Sequence, residues 1–488
     1  MRVLGLIFDS KMTWKHHIKS LKSECQSKLR ILKILTAKRA GANPDTLLKL
    51  YKALIRSKID YASIIYDSVN PTILNSLNTI QNTCLRVCTG AFRTSPISSL
   101  QAETGMLPLE LRRRELCLKY MVTIATTPDN PAHNSVLKDF LTPLYDNSER
   151  LIKPIRIRTR EYQSELEIPL PPISTRNLSY FPPWETPIIH CDWQLCEHDK
   201  SSTAPVMYQS LFLEMQEKYK DCEEYYTDGS VMNNKTGYAV TSKTSVLSAQ
   251  RMHGHCSIFT CEISAIICTL TIINNKNYKS TNVIYTDSMS SLKAITNQSN
   301  NHPLVYNVHH LLEQITRNNS NVVLVWIPAH QDIRGNELAD QAAKEATHTE
   351  DISNPKMTHQ DAKKYIRSRI LDYWNRKWQS LSPTKLHEIR NNIFEKLPNL
   401  NRKNYSTLIR LRIGHTNMSH IHLITRENPN ECPLCSSALS VNHIFSNCPR
   451  FQEERDKYGL ISDLRNILNQ SQHFSKVFSF IKDTKLSI

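Results

Sequence analysis

Four short acidic motifs between residues 223 and 340 constrain this chain more than any other feature of its sequence. Asp228 and Asp287 each follow a run of β-branched and aromatic residues, which is typical of a strand. Glu262 lies in the predicted first turn of an amphipathic helix, and Asp340 lies in a predicted helix near the end of the segment. Carboxylates at the ends of separate elements suit divalent cations such as magnesium, which prefer oxygen ligands. Two such ions stabilise the attacking and leaving oxygens of a phosphodiester.

Each motif by itself has an ordinary structural interpretation. Thr-Asp-Gly-Ser (227–230) favours a plain turn, because Asp and Gly are turn formers. Asp287 before a serine is a helix-capping signal, and Glu262 is an acid that the positive end of a helix dipole would stabilise. The functional interpretation therefore depends on the set and its order.

The apolar pattern over residues 221–350 predicts an α/β fold. Three consecutive strands predict an antiparallel meander, and strands and helices alternate after it, which gives a mixed sheet with helices on its faces. The predicted strands are 223–228, 236–243, 246–254, 282–286 and 322–327, and the predicted helices are 260–275, 288–298, 303–318 and 335–348.

Taken together, the four motifs resemble type 1 ribonuclease H over residues 221–347. The resemblance implies that the four acids hold two magnesium ions and that the substrate is an RNA–DNA hybrid whose RNA strand is hydrolysed. It also implies that His330, on a mobile loop ten residues before Asp340, assists proton transfer or product release. The motifs are Tyr-Thr-Asp-Gly-Ser (226–230), Thr-Cys-Glu-Ile (260–263), Tyr-Thr-Asp-Ser (285–288) and His-Gln-Asp-Ile-Arg-Gly-Asn-Glu-Leu-Ala-Asp (330–340).

The sequence departs from that family at two places. The family loop usually reads His-x-Gly, whereas this chain has His330-Gln331-Asp332, and this departure concerns the kinetics of the loop rather than the site itself. The lysine-rich insertion that holds the hybrid in longer members is also missing between Asp287 and His330. Hybrid binding must then come from elsewhere in the chain.

The net charge of +16 is unevenly distributed over the 488 residues and points to a polyanionic partner. Residues 1–120 carry a net +12 and residues 351–488 carry +10, while 121–220 and 221–350 carry −3 each. Because phosphate affinity is largely counterion release, we expect it in the two basic flanks. The alternative is that these cations are only solvated helix faces.

Residues 1–125 are predicted to be a short strand followed by helices, and the prolines of residues 126–220 predict a connection that interrupts regular structure. Double prolines at 171–172 and 182–183 predict an extended, partly packed segment over 168–184, and a helix is predicted over 205–220.

Phrases in the first 125 residues resemble the thumb and following region of the reverse transcriptase of jockey-like non-LTR retrotransposons. In that family the region follows the polymerase palm and precedes ribonuclease H. The palm signature ends in two adjacent aspartates, and this sequence contains no Asp-Asp pair. We therefore expect the C-terminal part of a retrotransposon polyprotein without polymerase activity. The phrases are Leu-Gly-Leu-Ile-Phe-Asp (4–9), Trp-Lys-His-His-Ile (14–18), Leu-Lys-Leu-Tyr-Lys-Ala-Leu (48–54), Gln-Asn-Thr-Cys-Leu-Arg-Val (81–87), Thr-Gly-Ala-Phe-Arg (89–93) and Glu-Thr-Gly-Met-Leu-Pro-Leu (103–109).

Residues 351–430 are predicted to be a basic helical segment in which Lys and Arg alternate with aromatic residues. That pattern suits single-stranded nucleic acid, which binds through phosphate contacts and base stacking. The alternative, which we favour for most of the aromatics, is that they form the core of a helical bundle.

Cys432, Cys435, His443 and Cys448 form a Cys-x2-Cys-x7-His-x4-Cys array within residues 431–451. Thiolates and a neutral imidazole at this spacing suit a closed tetrahedral zinc site, although chance spacing of core thiols remains the alternative. The array also resembles the zinc element that follows ribonuclease H in the same retrotransposon family. One or two closing helices are predicted over residues 452–488.

The thirteen scattered cysteines favour a reducing, intracellular compartment, and we expect the nucleus or the cytoplasm. No apolar run of 18 residues predicts a membrane span. The leading hypothesis is a magnesium-dependent ribonuclease acting on RNA–DNA hybrids, with a retrotransposon ribonucleoprotein as a further partner that the family suggests. The alternative is a remnant that binds nucleic acid without cleaving it.

Overall fold

The structure is a computed structural model. It describes the chain apart from residues 37–40, 138–142, 144, 146–151, 171, 176–186, 199–202, 277, 301, 355, 394–397 and 462. Most of the predicted extended segment 168–184 therefore lies outside the described residues. Among the helices in the described ranges, none combines the length and the apolar character that a membrane span requires.

The strands form a two-stranded hairpin near the N-terminus and one larger sheet. In chain order they are β1 (Arg2–Val3), β2 (Leu6–Ile7), β3 (His190–Asp192), β4 (Glu223–Met232), β5 (Lys235–Thr241), β6 (Val246–Met252), β7 (Thr281–Thr286), β8 (Asn321–Trp326) and β9 (Ile352–Asn354).

The α-helices among the described residues are, in chain order, α1 (Lys15–Ile34), α2 (Pro44–Tyr51), α3 (Ser57–Asp60), α4 (Ser63–Tyr66), α5 (Pro71–Thr89), α6 (Ile97–Thr104), α7 (Leu109–Ala125), α8 (Ala132–Leu137), α9 (Ile155–Glu165), α10 (Pro205–Lys218), α11 (Ile258–Asn274), α12 (Met289–Thr296), α13 (Pro303–Arg317), α14 (Arg334–Ala346), α15 (His359–Ser380), α16 (Lys385–Ile389), α17 (Arg402–Ile413), α18 (Asn417–His420), α19 (His422–Thr425), α20 (Gln452–Tyr458), α21 (Leu464–Asn469) and α22 (Ser471–Asp483). Short π-helical turns lie at Lys52–Arg56 and His443–Asn447, and 3₁₀ turns lie at Gln194–Glu197 and Pro449–Phe451.

The chain divides into two compact units. Unit 1 comprises Met1–Leu118, Thr142–Glu167 and Arg367–Ile488, and unit 2 comprises Lys119–Leu141 and Ile168–Ile366. The two basic flanks that the sequence separates therefore belong, for the most part, to one unit. The division into six segments that the sequence predicts remains a prediction.

Unit 2 contains a seven-stranded mixed sheet in the order β3-β8-β7-β4-β5-β6-β9. The meander β4-β5-β6 is antiparallel, and β4, β7, β8 and β3 pair in parallel, which confirms the predicted α/β fold class. Both edge strands are three residues long and lie outside the predicted range 221–350. Neither has a sequence pattern of its own, because each is set by pairing with a longer neighbour.

Helices cover both faces of this sheet. A Cβ added to Gly229 would meet Glu262 and Cys261 on α11, whereas one added to Gly237 would meet Ala343 and Ala346 on α14. Ser230 pairs with Gly237, so these two residues face the same side of the sheet. Gly229 comes directly before Ser230 and faces the other side, because successive residues of a strand point to opposite faces. Helix α11 therefore packs on one face of the sheet and α14 on the other.

In unit 1, helix α17 from the last part of the chain is hydrogen-bonded to the C-terminal end of helix α5 from the first part. The side chains of Arg402, Ser406 and Arg410 on α17 donate hydrogen bonds to the last carbonyl groups of α5 and to Gly90. Cations at the C-terminus of a helix are stabilised by its dipole. Gly90 has a φ of +68° and contacts Ser406, so a side chain there would be both strained and blocked.

Charged groups also hold unit 1 together from inside. Glu103, fully buried, accepts a 2.5 Å hydrogen bond from Arg412 and a 3.5 Å one from Arg390. Trp378 and Tyr405, from the predicted basic segment, are 1% exposed and lie in the hydrophobic core. Their burial bears out the core interpretation of these aromatics.

Three local predictions are wrong. The first strand does not end at Asp228 but runs on to Met232, because Asn233 and Asn234 both take positive φ angles and make the hairpin turn there. The single N-terminal strand is a hairpin, since the chain turns at Leu4 and Gly5. The C-terminal end has three helices, α20 to α22, rather than one or two.

Candidate active site

The pairing of β4 with β7 brings two of the predicted acids together. The two strands run parallel, and their last registered pair is Thr227 with Thr286. Asp228 and Asp287 are the next residues on each strand, so they lie side by side where β7 ends. The N-cap of the following helix is Ser288, whose hydroxyl accepts a hydrogen bond from the Ser291 N–H, and the capping interpretation of Asp287 is wrong.

A glycine allows the third acid to approach. A Cβ on Gly229 would lie 2.7 Å from the backbone nitrogen of Glu262 and 2.8 Å from the Cβ of Cys261, so only glycine fits. Carboxylate oxygens of Asp228, Glu262 and Asp287 consequently lie within 4.8 Å of one another. Glu262 is the fifth residue of α11, just past the first turn that the sequence predicts, because the helix begins at Ile258.

Burial makes this carboxylate cluster costly to ionise. The pKa of Asp228 is raised to about 8 by burial and by the neighbouring Asp287, and that of Glu262 to about 9 by burial and by Asp228. Burial also raises the pKa of Asp287. The Oε2 atom of Glu262 is buried without a hydrogen-bond partner among the described residues. Like charges with an unsatisfied oxygen fit a site for divalent cations with oxygen ligands.

Asp340 belongs to a second, adjoining group on α14. Ligand atoms of His330, Glu337 and Asp340 lie within 4.8 Å of one another, and Asp340 is close enough to Asp228 to raise the pKa of Asp228 further. Lys344, one turn later, donates a 2.5 Å hydrogen bond to Asp340. The structure thus brings the four predicted acids and His330 to one region.

The sequence prediction missed two polar residues of this region. Glu337 lies one helical turn before Asp340, and its spacing of three residues is the signal that would have revealed it. Asn336 is 1% exposed, and its hydrogen bond to Asp287 lowers the pKa of that acid against the larger effect of burial. Only the fold shows that Asn336 points at Asp287.

The His330 loop keeps the backbone shape that a glycine would favour. His330 is exposed with a φ of +53°, and Asp332 stands at the family's glycine position with a φ of +55°. Asp tolerates this region better than most residues but at a cost of about 1 kcal/mol. Gln209 on α10 donates a long hydrogen bond of 3.5 Å to the Gln331 carbonyl, which ties the loop to a helix that precedes β4.

The four cysteine and histidine ligands come together in unit 1. Their ligand atoms lie within 4.8 Å of one another, and the Cys448 sulfur is 3.6 Å from that of Cys432 and 3.9 Å from that of Cys435. Tetrahedral zinc with bonds of about 2.3 Å places sulfur atoms about 3.8 Å apart. The His443 Nε2 atom has no hydrogen-bond partner among the described residues, whereas its Nδ1 lies 3.4 Å from the Ser437 hydroxyl. This donor set fits one tetrahedral metal ion.

Local backbone geometry holds these four ligands. The Ser436 N–H donates to the Cys432 carbonyl, and the Cys432 N–H donates to the Ser437 carbonyl, which closes a tight loop around the first two cysteines. The nearby His443 side chain and the backbone N–H groups of Leu434 and Cys435 lower the pKa of the Cys432 thiol to about 6. Cys448 and Cys432 both lie in the hydrophobic core of unit 1, so the cluster is part of that core.

Comparison with known proteins identifies the class of one segment. Residues 220–348 match the family model of RNase H, and they contain the four acids and His330. This segment is an RNase H domain, and its family supports a nucleic-acid hydrolase function.

A second match concerns the longer protein to which such a domain belongs. The chain is similar to the RNA-directed DNA polymerase from mobile element jockey of Drosophila funebris, with 25% identity over 131 residues. The match covers 27% of this chain and 14% of that relative's length. Together the two findings support a C-terminal region of a jockey-like retrotransposon polyprotein, as the sequence phrases predict.

Proposed function

We propose that the RNase H domain hydrolyses the RNA strand of RNA–DNA hybrids with two magnesium ions. Asp228, Glu262, Asp287 and Asp340 would hold the metal. The observation that carries the proposal is the convergence of the first three acids, one of which has a buried, unpartnered oxygen. A purely binding remnant would gain nothing from burying like charges together.

The carboxylates and His330 would have different roles in the hydrolysis. Magnesium at these carboxylates would supply positive charge for the developing phosphate charge and lower the pKa of water. Asp228 and Asp287 are fixed by strand pairing and Glu262 by its close contact with Gly229, so the ligands are preorganised. His330 stands exposed beside Asp340, where its imidazole can exchange a proton with water at the edge of the cluster. The 2′-hydroxyl and the hybrid shape would select the substrate.

A cleavage assay tests this proposal. The full chain is incubated with an end-labelled RNA–DNA hybrid, with or without added Mg²⁺, and with RNA duplex and DNA duplex as controls. We expect Mg²⁺-dependent cuts in the RNA strand of the hybrid only. Binding of the hybrid without cleavage at any Mg²⁺ or Mn²⁺ concentration would support the silent nucleic-acid-binding alternative instead.

We further propose that Cys432, Cys435, His443 and Cys448 bind one structural zinc ion. All four positions around the ion would be protein ligands, which leaves no open position for chemistry. The sulfur separations and the unpartnered Nε2 of His443 support this assignment.

We also infer that unit 1 supplies most of the affinity for nucleic acid. Helix α1 carries an exposed cationic face, whose members recur at spacings that keep them within about 60° around the helix axis. Phosphates are the natural partners of such a stripe, and these contacts would add affinity without reading the sequence. The face consists of Lys15, Lys19, Arg30 and Lys33.

A further inference from the structure

The helix that carries Glu262 lacks a conventional cap at its start. Ser257 is the N-cap of α11, yet its hydroxyl caps no backbone N–H and lies 3.1 Å from the Thr260 hydroxyl. The backbone N–H of Ser257 donates instead to Oδ1 of Asp361, at 3.2 Å. The Thr260 hydroxyl donates to Oδ2 of Asp361, at 2.6 Å. A carboxylate from another helix therefore holds the beginning of α11.

Asp361 is itself firmly held. It lies in the first turn of α15 and is 1% exposed. The Thr358 hydroxyl donates to its Oδ2 at 2.9 Å, and the Asp361 N–H donates back to the Thr358 hydroxyl at 3.2 Å. The carboxylate thus stands at the positive ends of two helix dipoles, α11 and α15, which stabilise its charge.

Asp361 lies outside the segment that matches RNase H, which ends at residue 348. The chain between that point and α15 is nevertheless built into unit 2. Strand β9 pairs with β6, and Met357, fully buried, makes a bridge to Ile173. The anchor of α11 is therefore a part of unit 2 that the family match does not include.

We propose that Asp361 is a positioning residue for Glu262. Glu262 follows Ser257 by five residues, and its backbone nitrogen packs on the face of Gly229 that has no room for a Cβ. Among the described residues, Asp361 is the only carboxylate from another helix that accepts hydrogen bonds from the start of α11. Without it, the distance of Glu262 from Asp228 and Asp287 would no longer be fixed. This inference rests on the proposed metal-dependent function of the same cluster.

The test compares three full-length variants, Asp361→Ala, Asp361→Asn and a matched control, Asp192→Ala. Asp192 is another largely buried carboxylate of unit 2 with three donors, the Gln194 N–H, Lys218 and Tyr219. Mn²⁺ binding is followed by electron paramagnetic resonance, and kcat and KM for hybrid cleavage are measured at several Mg²⁺ concentrations. Thermal unfolding is recorded for every variant, and measurements are made well below each Tm.

We expect Asp361→Ala to raise the half-saturating Mn²⁺ and Mg²⁺ concentrations by about tenfold, as loss of a group that orients a ligand typically does. The KM for the hybrid should not change, and Asp361→Asn should recover part of the loss because it keeps an oxygen for the Ser257 N–H. Asp192→Ala should lower Tm while leaving metal half-saturation at the wild-type value.

Wild-type metal half-saturation in both Asp361 variants, with only a lower Tm, would overturn the proposal. If Asp361→Ala does not fold, Asp361→Asn decides, since an unchanged metal affinity there has the same meaning. If the wild type binds Mn²⁺ but cleaves no hybrid, the proposed function fails while the positioning role is still judged from Mn²⁺ binding alone.

Discussion

Among the described residues, the candidate metal ligands of unit 2 and those of unit 1 are assembled in opposite ways. In unit 2 the oxygen ligands come from β4, from α11, from the residue after β7 and, in the adjoining group, from α14. These elements are distant in sequence and meet only through the sheet. The cluster in unit 1 takes its sulfur and nitrogen ligands from residues 432–448, and one tight loop and one helical turn place them. The first depends on the whole fold, whereas the second needs mainly local structure.

The difference extends to electrostatics. Burial raises the pKa values of Asp228 and Glu262, so the carboxylate cluster opposes folding until a cation neutralises it. In unit 1, nearby groups lower the pKa of the Cys432 thiol to about 6, whereas burial and the neighbouring sulfur atoms raise that of Cys435 to about 11. A metal ion would therefore bind one thiolate that is already formed and displace a proton from the other cysteine. Metal binding should therefore relieve the repulsion between carboxylates in unit 2 and stabilise the folded state of unit 1.

The largest expected effect comes from neutralising one acid. Asp228→Asn or Asp287→Asn should reduce hybrid cleavage by about a thousandfold or more. Because the folded pKa of Asp228 is about 8 against an ordinary 3.8, the folded protein binds more protons than the unfolded chain between these values. Stability without added Mg²⁺ should therefore fall as the pH rises through this window. Asp228→Asn should raise Tm at pH 8 by about 3 °C or more, with a smaller gain near pH 5.

Cleavage assays and calorimetric scans across pH, without added Mg²⁺, check both expectations. A variant that keeps near-wild-type cleavage would remove Asp228 or Asp287 from the proposed metal site. A lower Tm for Asp228→Asn at pH 8 would mean that the carboxylate is stabilised by contacts rather than opposed by burial.

Removing one thiolate ligand from the cysteine and histidine cluster of unit 1 should lower the stability of the protein and leave the rate of hybrid cleavage nearly unchanged. Cys448→Ser should reduce bound zinc from about one equivalent to below a tenth and destabilise unit 1 by several kcal/mol. Hybrid affinity should weaken while kcat stays near that of the wild type. Cys25→Ser is the matched control, since both thiols are 0% exposed in unit 1, and it should retain the zinc. Elemental analysis provides the measurement, and a folded wild type without zinc would contradict the proposal.

The contribution of exposed cations to nucleic-acid affinity can also be compared between the two units. Changing the four cations of the α1 face to Gln should lower affinity for the hybrid by about 100-fold at moderate salt and reduce the slope of log affinity against log salt. A control with the same charge change in unit 2 should have little effect, and equal slopes in the two variants would mean that the α1 cations are only solvated surface. The control replaces Lys235, Lys243, Lys279 and Lys293, all exposed.

The smallest effect is expected at the edge of the carboxylate cluster. His330→Ala should slow turnover by about tenfold and leave Mg²⁺ half-saturation unchanged, because His330 is exposed and assists proton exchange rather than holding metal at the centre. Single-turnover and steady-state rates together show whether the step affected is cleavage or product release. A loss as large as that of Asp287→Asn would make His330 a metal ligand.

Much of unit 2 was accessible from the sequence. The periodicity of 221–350 predicts the five longer strands and four of the helices of this unit, and it predicts that Asp228 and Asp287 meet because both follow predicted strands of one sheet. The Cys432–Cys448 spacing predicts its cluster directly, since the ligands lie within one short segment. The strands, the helices and the cysteine cluster can be predicted because their patterns are local, whereas the meeting of Asp228 and Asp287 follows from the pairing of two strands that are distant in sequence.

The features that the sequence did not reveal depend on distant partners. Strands β3 and β9 are too short for any periodicity, and Asp361 looks like an ordinary first-turn acid of its own helix. In the sequence, Arg412 is indistinguishable from the other cations of a basic segment. In the structure it is buried and donates a hydrogen bond to Glu103, more than 300 residues earlier. Such roles exist only once tertiary structure has formed.

The discontinuity of unit 1 has a consequence for the order in which the protein is made. Roughly 250 residues separate its first segment from its last, so a ribosome adding about 5–20 residues per second needs about 12–50 s to bridge them. During that interval the C-terminal end of α5 has no α17 to cap it, and Glu103 has neither of its arginines. The RNase H domain emerges complete within the same interval. We therefore expect the first segment of unit 1 to be sensitive to protease, and to depend on chaperones, until synthesis has passed residue 413.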